Sequence, residues 1–480
     1  MSDNLLITVG QRSPEFSNKR WYASGKSVLG SMLSTVFAPV SAMVKGGREF
    51  LLAIAILNIP LQIGAHPFYD DDLAAQGALG GLDLSVTVLA LAALYVMWLV
   101  EFLLNRVSRP PVPRLTWSVV LYGVAAALSL GVAKDVKLGS FQLFVIVEGL
   151  LLFVYLASWV RTREDVDFVL RFLFLGLILE SLLMMYLSAS GQESFKFAGM
   201  KASVVDQDPY SSPSALGLPR VGGTVGSPNG CAGYIAMLLA PAISVLFTKY
   251  RQSLKSLALL AFFMGGIALV LTFSRGGWLA SFISVTLLFG FAARRIRIPR
   301  KILFTGVALI LVAGVIFKSA ISDRLTNSDQ GAAESRIPLM HTALEMIADN
   351  PILGVGVNNY PLRMQEYATP DVQWLYTVHN KYLLDWAEMG IGGLFALVWF
   401  LVSVIRRGLQ SWKSGDPFLS PIAMGLTAAM IGTVLHMMVE LYRDTLVVWV
   451  GAALIMAIWH QTQMKLPQHS ALGIQNTGRP

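Results

Sequence analysis

The chain has 480 residues, 55% of them hydrophobic and only 14% charged, with a formal charge of +8. With a mean hydropathy of +0.60, it carries far fewer charges than the roughly one quarter usual in soluble domains, which excludes an ordinary soluble enzyme and requires a bilayer as second solvent. The net positive charge in such a chain reflects basic cytoplasmic loops rather than a nucleic-acid surface, and the single cysteine, Cys231, excludes an internal disulfide or a thiolate cluster.

The first 48 residues are polar and basic and show no cleavable signal peptide. Within them, residues 27–44 place Leu29, Leu33, Phe37, Val40 and Val44 on one helical stripe with serines opposite, which predicts a helix lying on the membrane surface. Apolar runs then follow at about 49–65, 82–104, 117–133, 139–160, 167–189, 230–248, 255–273, 277–293, 302–321, 380–405, 419–439 and 444–462. At roughly 20 residues per crossing, this predicts an all-α polytopic membrane protein of about 12 transmembrane helices with a large helical outer loop domain. Arg106/Arg109/Arg114, Arg161/Arg163, Lys249/Arg251/Lys255, Arg294 to Lys301 and Arg406/Arg407/Lys413 fall in alternate loops, so the positive-inside rule places those loops and both termini in the cytoplasm.

The expected organisation is a cytoplasmic extension (1–48), N-terminal transmembrane helices (49–189), an outer loop (190–229), central transmembrane helices (230–321), a large periplasmic loop (322–379), C-terminal transmembrane helices (380–462) and a cytoplasmic tail (463–480). The large loop includes an amphipathic helix near 335–349, with Ile337, Met340, Leu344 and Ile347 on one face and Pro351 ending it. Loops of this length in a compact protein usually carry function.

Sorted by side, Arg220, Asn229, Arg275, Arg336, His379, Asn380, Glu388, His436, Glu440, Tyr442, Arg443 and Asp444 all map to the outer loops or outer helix ends. Arg275, in the four-residue turn of "LTFSRGGWLA" (271–280), stands where the charge rule places no base. Ser274 is a helix cap there, and amides at a helix start beside a guanidinium suit phosphate; a guanidinium held by lipid headgroups is the plainer reading. Arg220 and Asn229 flank a glycine-rich approach to a span, which is equally a ligand loop or a set of turns. His379 is either a helix-start residue bonded to a carbonyl or a general base suited to neutral pH. The Gly-x-Gly of "PILGVGVNNYP" (351–361) follows no strand and reads as a tight turn. No HExxH, CxxC or close acidic pair in the outer loops supports metal catalysis. Glu148 and Glu180 lie inside consecutive spans expected to form a hairpin, either as a proton relay or as protonated acids bonded within the bundle.

These residues carry a resemblance. "HNKYLLDWAEMGIGG" (379–393) matches the ligase-type signature His-[Asn/Ser/Gln]-x9-Gly-x-x-[Gly/Thr/Tyr] at His379, Asn380, Gly390 and Gly393. "TFSRGGWLA", "RVGGTVGSPNGCAGY" and "RIPLMHTALEMIADNPILGVGVNNY" resemble further segments of the same superfamily, in the expected order. Across about residues 215–395 the chain resembles the bacterial O-antigen ligase and O-antigen polymerase superfamily of membrane glycosyltransferases.

The resemblance implies an enzyme of the Gram-negative inner membrane, working at its periplasmic face. It would transfer a glycan from undecaprenyl diphosphate to an acceptor hydroxyl, with inversion and without a metal or other cofactor. Ligases use lipid A-core as acceptor in lipopolysaccharide biosynthesis, and polymerases use another lipid-linked glycan of O-antigen or exopolysaccharide. The His379–Gly393 signature favours the ligase. In this scheme Arg275 and Arg220 stabilise the departing diphosphate, His379 activates the acceptor, and Arg336, Asn229, Asn380, Arg443 and Tyr360 bind substrate. Tyr360, Tyr367, Trp374 and Tyr376 either stack on sugars or form an interfacial belt. A lipid-linked glycan transporter and a structural scaffold are the competing classes.

Overall fold

The computed structural model describes residues 45–104, 116–191, 194–197, 200–203, 220–294, 336–368, 376–443 and 445–464. The expected surface helix at 27–44, the expected span at 302–321, and Trp374 and Asp444 lie outside the described residues. The chain divides into two units, Met1–Leu51 and Leu52–Pro480. Of the first, residues 45–51 are described and are helical.

The second unit is an all-α membrane bundle. It begins with α1 (52–61), a two-residue ribbon of β1 (Gly64–Ala65) with β2 (Leu84–Ser85), and the short α2 (Asp71–Ala75). Then come α3 (Val86–Leu103), α4 (Thr116–Ser129), α5 (Val136–Trp159) and α6 (Arg163–Ser190), followed by a hairpin of β3 (Ser194–Phe197) and β4 (Met200–Ser203). After it run α7 (Pro228–Leu246), α8 (Gln252–Leu271), α9 (Arg275–Ala293), α10 (Arg336–Asp349), α11 (Tyr360–Tyr367), α12 (Lys381–Trp412), α13 (Leu419–His436) and α14 (Leu446–Met464). Nine described helices are long and apolar enough to cross a membrane, and Trp117–Val132 is a shorter apolar helix.

Local chemistry sets the helix starts. Ser85, Asp135, Ser227 and Ser274 each accept from a backbone amide inside the first turn of α3, α5, α7 and α9. Thr162 and Asp165 form a reciprocal capping box on α6. Such caps satisfy amides that a helix leaves without intrahelical partners.

The centre of the bundle is α7 and α13, whose apolar windows are each 83% buried. Both pack on α9, α7 also meets α8, and small residues let the backbones close up. Gly425 lies against Ser244 and Ala240, and Gly432 against Ser284 and Ala280. Around this centre α6 packs on α8, α4 on α12, and α5 on α14. The expected α5–α6 hairpin is therefore replaced by two helices that pack on different neighbours. Glu148 pairs with the Ser85 hydroxyl at 3.5 Å, while Glu180 accepts from the Thr224 amide at 2.8 Å and from its hydroxyl. Consecutive apolar helices carry no pairing rule, so sequence adjacency was a poor guide to which acids share a level.

The 335–349 helix is present as α10, but its faces differ from expectation. Leu339, Ala343, Met346 and Ile347 are buried, whereas Ile337, Met340 and Leu344 are exposed. Both stripes of this short helix are apolar, and the one that packs on α12 with Val355, Tyr360, Met364, Val378, Leu384 and Ala387 forms the core. Periodicity alone cannot rank two apolar stripes.

Helix α12 is interrupted at Gly390, whose φ of 68° and ψ of −171° lie in a region reserved for glycine. The break frees two carbonyls from helical bonding. Ala387 O and Glu388 O accept from Val355 N at 2.8 Å and Gly356 N at 3.0 Å, and Ile391 N donates to Pro351 O at 2.9 Å. The 351–356 turn is thus docked on the kink, and a Cβ at Gly390 would overlap the Ile352 carbonyl oxygen. Gly390→Ala is expected to cost more than about 1–3 kcal/mol and to lower the melting temperature of the purified protein. Gly392→Ala, whose Cβ meets only Ala125 at 3.9 Å, should stay near wild type in the same measurement.

Candidate functional site

At one end of the bundle the N-termini of α7 and α9, the C-terminus of α13 and the approach to α12 come together. Gly277 of α9 lies on Ala232 of α7, and Gly276 lies on the His436 imidazole at the end of α13. Arg275, the first residue of α9, is thereby fixed beside His436, with the capped helix start at its back.

Arg220 is only 7% exposed. Its Nε donates to Thr272 O at 3.1 Å and its Nη2 to Asn229 Oδ1 at 3.0 Å. Thr272 closes the C-terminal end of α8, so the guanidinium also meets the negative end of a helix dipole. The loop between Arg220 and α7 is braced from below by Glu180: it accepts from Thr224, and a side chain at Gly223, which has φ of 58°, would overlap its Oε1. Arg220 and Asn229 are brought together as one unit.

Arg336, at the start of α10, links the separate parts. Its charge and that of Arg220 both act on Arg275, and Arg336 also acts on His379 and His436. Three guanidiniums and two imidazoles therefore share one electrostatic neighbourhood. Like charges gathered this way raise one another's energy, and an anion relieves that cost.

His379 precedes the cap of α12, and its ring stacks on Tyr376 with centroids 4.9 Å apart. Burial, and secondly the Arg336 charge, push its pKa down to about 3. The residue is half-buried, and both influences act to keep the imidazole neutral near pH 7. Because the folded value lies below the ordinary 6.5, between those two pH values the unfolded chain binds a proton that the folded chain does not. Stability should fall as pH drops from 6.5 towards 3, and His379→Gln should remove that share of the slope, at most about 1.4 kcal/mol per pH unit, in pH-dependent thermal melts.

The other expected binding residues are used differently. Asn380 caps α12, its Oδ1 accepting from Tyr382 N at 3.0 Å and Leu383 N at 3.2 Å. Together with the Gly390 kink, this makes the His379–Gly393 signature largely a device for holding His379 at the helix mouth. Arg443 forms a two-pronged ion pair with Glu388 at 2.8 and 3.1 Å and donates from Nε to Gly77 O at 2.7 Å. Burial opposes its charge, but Glu388 more than offsets this and raises the guanidinium pKa. Tyr360 is fully buried, with its ring in the core beneath α10. The expectation that it stacks on a sugar is corrected, because a ring with no exposed face cannot be reached.

A further pair, on the expected outer face, meets at the end of α13. His436 Nδ1 and Tyr442 Oη lie 2.7 Å apart. The two residues straddle the end of α13, where no helical spacing signals contact. Among the described residues no three His, Cys, Asp or Glu side chains gather closely enough to hold a metal ion.

Fold and site together define a polytopic membrane protein with a cluster of arginines and histidines at one end of its helix bundle. Residues 257–398 match the family model Wzy_C, O-Antigen ligase, so that part of the chain is similar to O-antigen ligases. The matched segment contains Arg275, Arg336 and His379. No curated protein matches the chain. A chain from a solved peptidoglycan synthase complex, concerning "structural coordination of polymerization and crosslinking", is 16% identical, covering 72% of this chain and 96% of its own, with a TM-score of 0.38. That likeness is too weak to carry an inference.

Proposed function

We propose that this protein transfers a glycan from undecaprenyl diphosphate to an acceptor hydroxyl, as an O-antigen ligase attaching polysaccharide to lipid A-core. The observation that carries this reading is that Arg275, the first residue of α9, shares its electrostatic surroundings with Arg220 and Arg336, and that Arg336 also acts on His379. The acceptor oxygen attacks the anomeric carbon from the face opposite the diphosphate, with inversion. The bond to the phosphate oxygen breaks, and the diphosphate leaves with the electron pair. Guanidiniums and helix amides facing those oxygens stabilise charge that grows as the bond breaks, with no metal required. The acceptor's proton passes to the His379 imidazole. Burial is the larger cause of the depressed His379 pKa, and a diphosphate on Arg336 offsets the second one, the Arg336 charge, which shifts the imidazole back towards basicity.

In this reading the site opens to the periplasm of a Gram-negative inner membrane, with both termini in the cytoplasm. The seven segments expected from the sequence then serve as anchor, bundle and periplasmic loop domain. A polymerase of O-antigen or exopolysaccharide would share the same donor chemistry and differ in acceptor. A transporter is less favoured: Glu148 and Glu180 are bonded to different partners, Ser85 and Thr224, and the cationic groups cluster at one end, whereas a carrier needs access from both sides.

The test is deletion of the gene and complementation with wild type, Arg275→Ala, Arg220→Ala or His379→Ala, followed by analysis of surface and lipid-linked glycans. Loss of a ligase leaves long polymer on undecaprenyl diphosphate and bare core outside. Loss of a polymerase leaves single repeats, and loss of a transporter leaves glycan facing the cytoplasm. Wild-type glycan from all three variants at normal expression would refute the site.

A further inference from the structure

Helix α10 has three faces where a helix packed on a protein surface needs two. At about 3.6 residues per turn, its buried residues Leu339, Thr342, Ala343, Met346 and Ile347 share the side that packs on α12. His341, Glu345 and Asp349 form an exposed polar sector. Between the two, Ile337, Met340 and Leu344 form a sector that is both exposed and apolar. Left in water, that middle sector costs solvation free energy and gains no packing. A helix lying where protein, bilayer and water meet needs these three sectors in this order.

The neighbouring surface identifies what covers the middle sector. Ile352 and Leu353, in the turn that follows α10, are exposed as well. That turn is tied to α12, because Ile391 N at 2.9 Å and Trp386 Nε1 at 3.2 Å both donate to Pro351 O. Ile391 opens the exposed stripe of α12, which continues through Phe395, Val398, Trp399 and Val402. On a helix long and apolar enough to cross a membrane, such a stripe faces lipid. The exposed apolar surface of α10 and its turn is therefore continuous with a lipid-facing surface.

Helix α12 also sets the depth. Arg406 and Arg407 mark the far end of its apolar stretch, and Ile391 lies about 15 residues, or ~22 Å of helix, before Arg406. A hydrocarbon core is about 30 Å thick, so Ile391 and the turn bonded to it fall inside the boundary, and any tilt of α12 brings them deeper. Trp386 then falls at the boundary itself, where indole rings concentrate. The turn enters with backbone groups bonded: Gly354 N donates to Asn350 O, and Val355 N and Gly356 N donate to carbonyls of α12.

We propose that α10 and the 351–353 turn rest in the leaflet on the site's side of the membrane, with Ile337, Met340, Leu344 and Ile352 in lipid and Glu345 and Asp349 in water. This lipid contact does not depend on the transferase reading. Its consequence for the site is one of position. Arg336 is the first residue of the same helix, so the bilayer holds its guanidinium at headgroup depth, the level of any phosphate carried by a lipid.

Electron paramagnetic resonance on the full chain, in nanodiscs of phosphatidylethanolamine and phosphatidylglycerol, tests this. The variants Met340→Cys, Leu344→Cys, Glu345→Cys and Phe395→Cys each carry a nitroxide. All four native side chains are exposed, so the substitutions leave the packed core intact, and Cys231 is fully buried, so the unsubstituted chain gives the labelling background. Oxygen concentrates in the bilayer and a neutral nickel chelate in water, and the ratio of their relaxation effects reports which one a label meets. The oxygen-to-nickel ratio at positions 340 and 344 should match that at the lipid-facing position 395 and exceed that at 345 several-fold. A ratio at 340 or 344 as low as that at 345 overturns the proposal. Shielding of either label from both reagents also overturns it, because a protein partner or a second copy of this chain would then cover the face.

Discussion

Arg275→Ala is expected to reduce the rate of glycan transfer by about 10²–10³-fold, the usual loss when one preorganised group facing transition-state charge is removed. Arg275 begins α9 behind the Ser274 cap, next to Gly276, and shares its neighbourhood with Arg220 and Arg336. Its surroundings are built by close approach of Gly276 to His436 and of Gly277 to Ala232, contacts that do not involve the Arg275 side chain, so truncating it leaves them in place. Melting temperature should therefore hardly move while turnover collapses. Arg275→Lys should recover only part of the rate, because an ammonium keeps the charge but not the planar two-pronged donor. Rates measured on reconstituted protein, alongside thermal melts, separate this from a folding defect.

Arg443→Ala is expected to act in the opposite way, on stability, by about 3–5 kcal/mol. The Glu388 side chain is 2% exposed and that of Arg443 8%, and the two meet through paired bonds of 2.8 and 3.1 Å. Removing the guanidinium leaves a carboxylate buried without its counter-charge, and also strips the Gly77 carbonyl of its donor. The double variant Glu388→Gln/Arg443→Ala should recover part of the loss, because it removes the stranded charge. Comparing the melting of the single and double variants checks this. An equal loss in both would mean that Arg443 acts through packing alone.

The difference between these two arginines explains what was legible in the sequence. Arg275 stood out because it broke a rule of charge distribution, and its cap, Ser274, was readable from the local "FSRGG" stretch. His379 and the 335–349 helix were legible for similarly local reasons. Arg443 has the same side chain at the same end of the bundle, but its role depends on Glu388, 55 residues away, and on Gly77, 366 residues away. Pairings of that range have no local signature. The same limit hid the His436–Tyr442 contact and the separation of α5 from α6. Tyr360 and α10 failed for another reason: in a chain this apolar, aromatic residues and apolar stripes occur on both buried and exposed faces, so hydrophobicity no longer distinguishes inside from outside. The signature at 379–393 was legible as a pattern, but its meaning was not. Asn380 serves as a cap and Gly390 as a kink, roles that only the folded chain shows.

The central claim is that this bundle breaks the bond between a glycan and a lipid diphosphate rather than moving the lipid-linked glycan across the membrane. The most direct measurement places the purified chain in vesicles with undecaprenyl diphosphate-linked glycan and lipid A-core. Free undecaprenyl diphosphate and glycan-bearing lipid A-core are then quantified together. The two should appear in equal amounts with wild-type protein, and neither should appear with Arg275→Ala or His379→Ala. Glycan that changes leaflet while still attached to its diphosphate lipid, with no free undecaprenyl diphosphate formed, would contradict it.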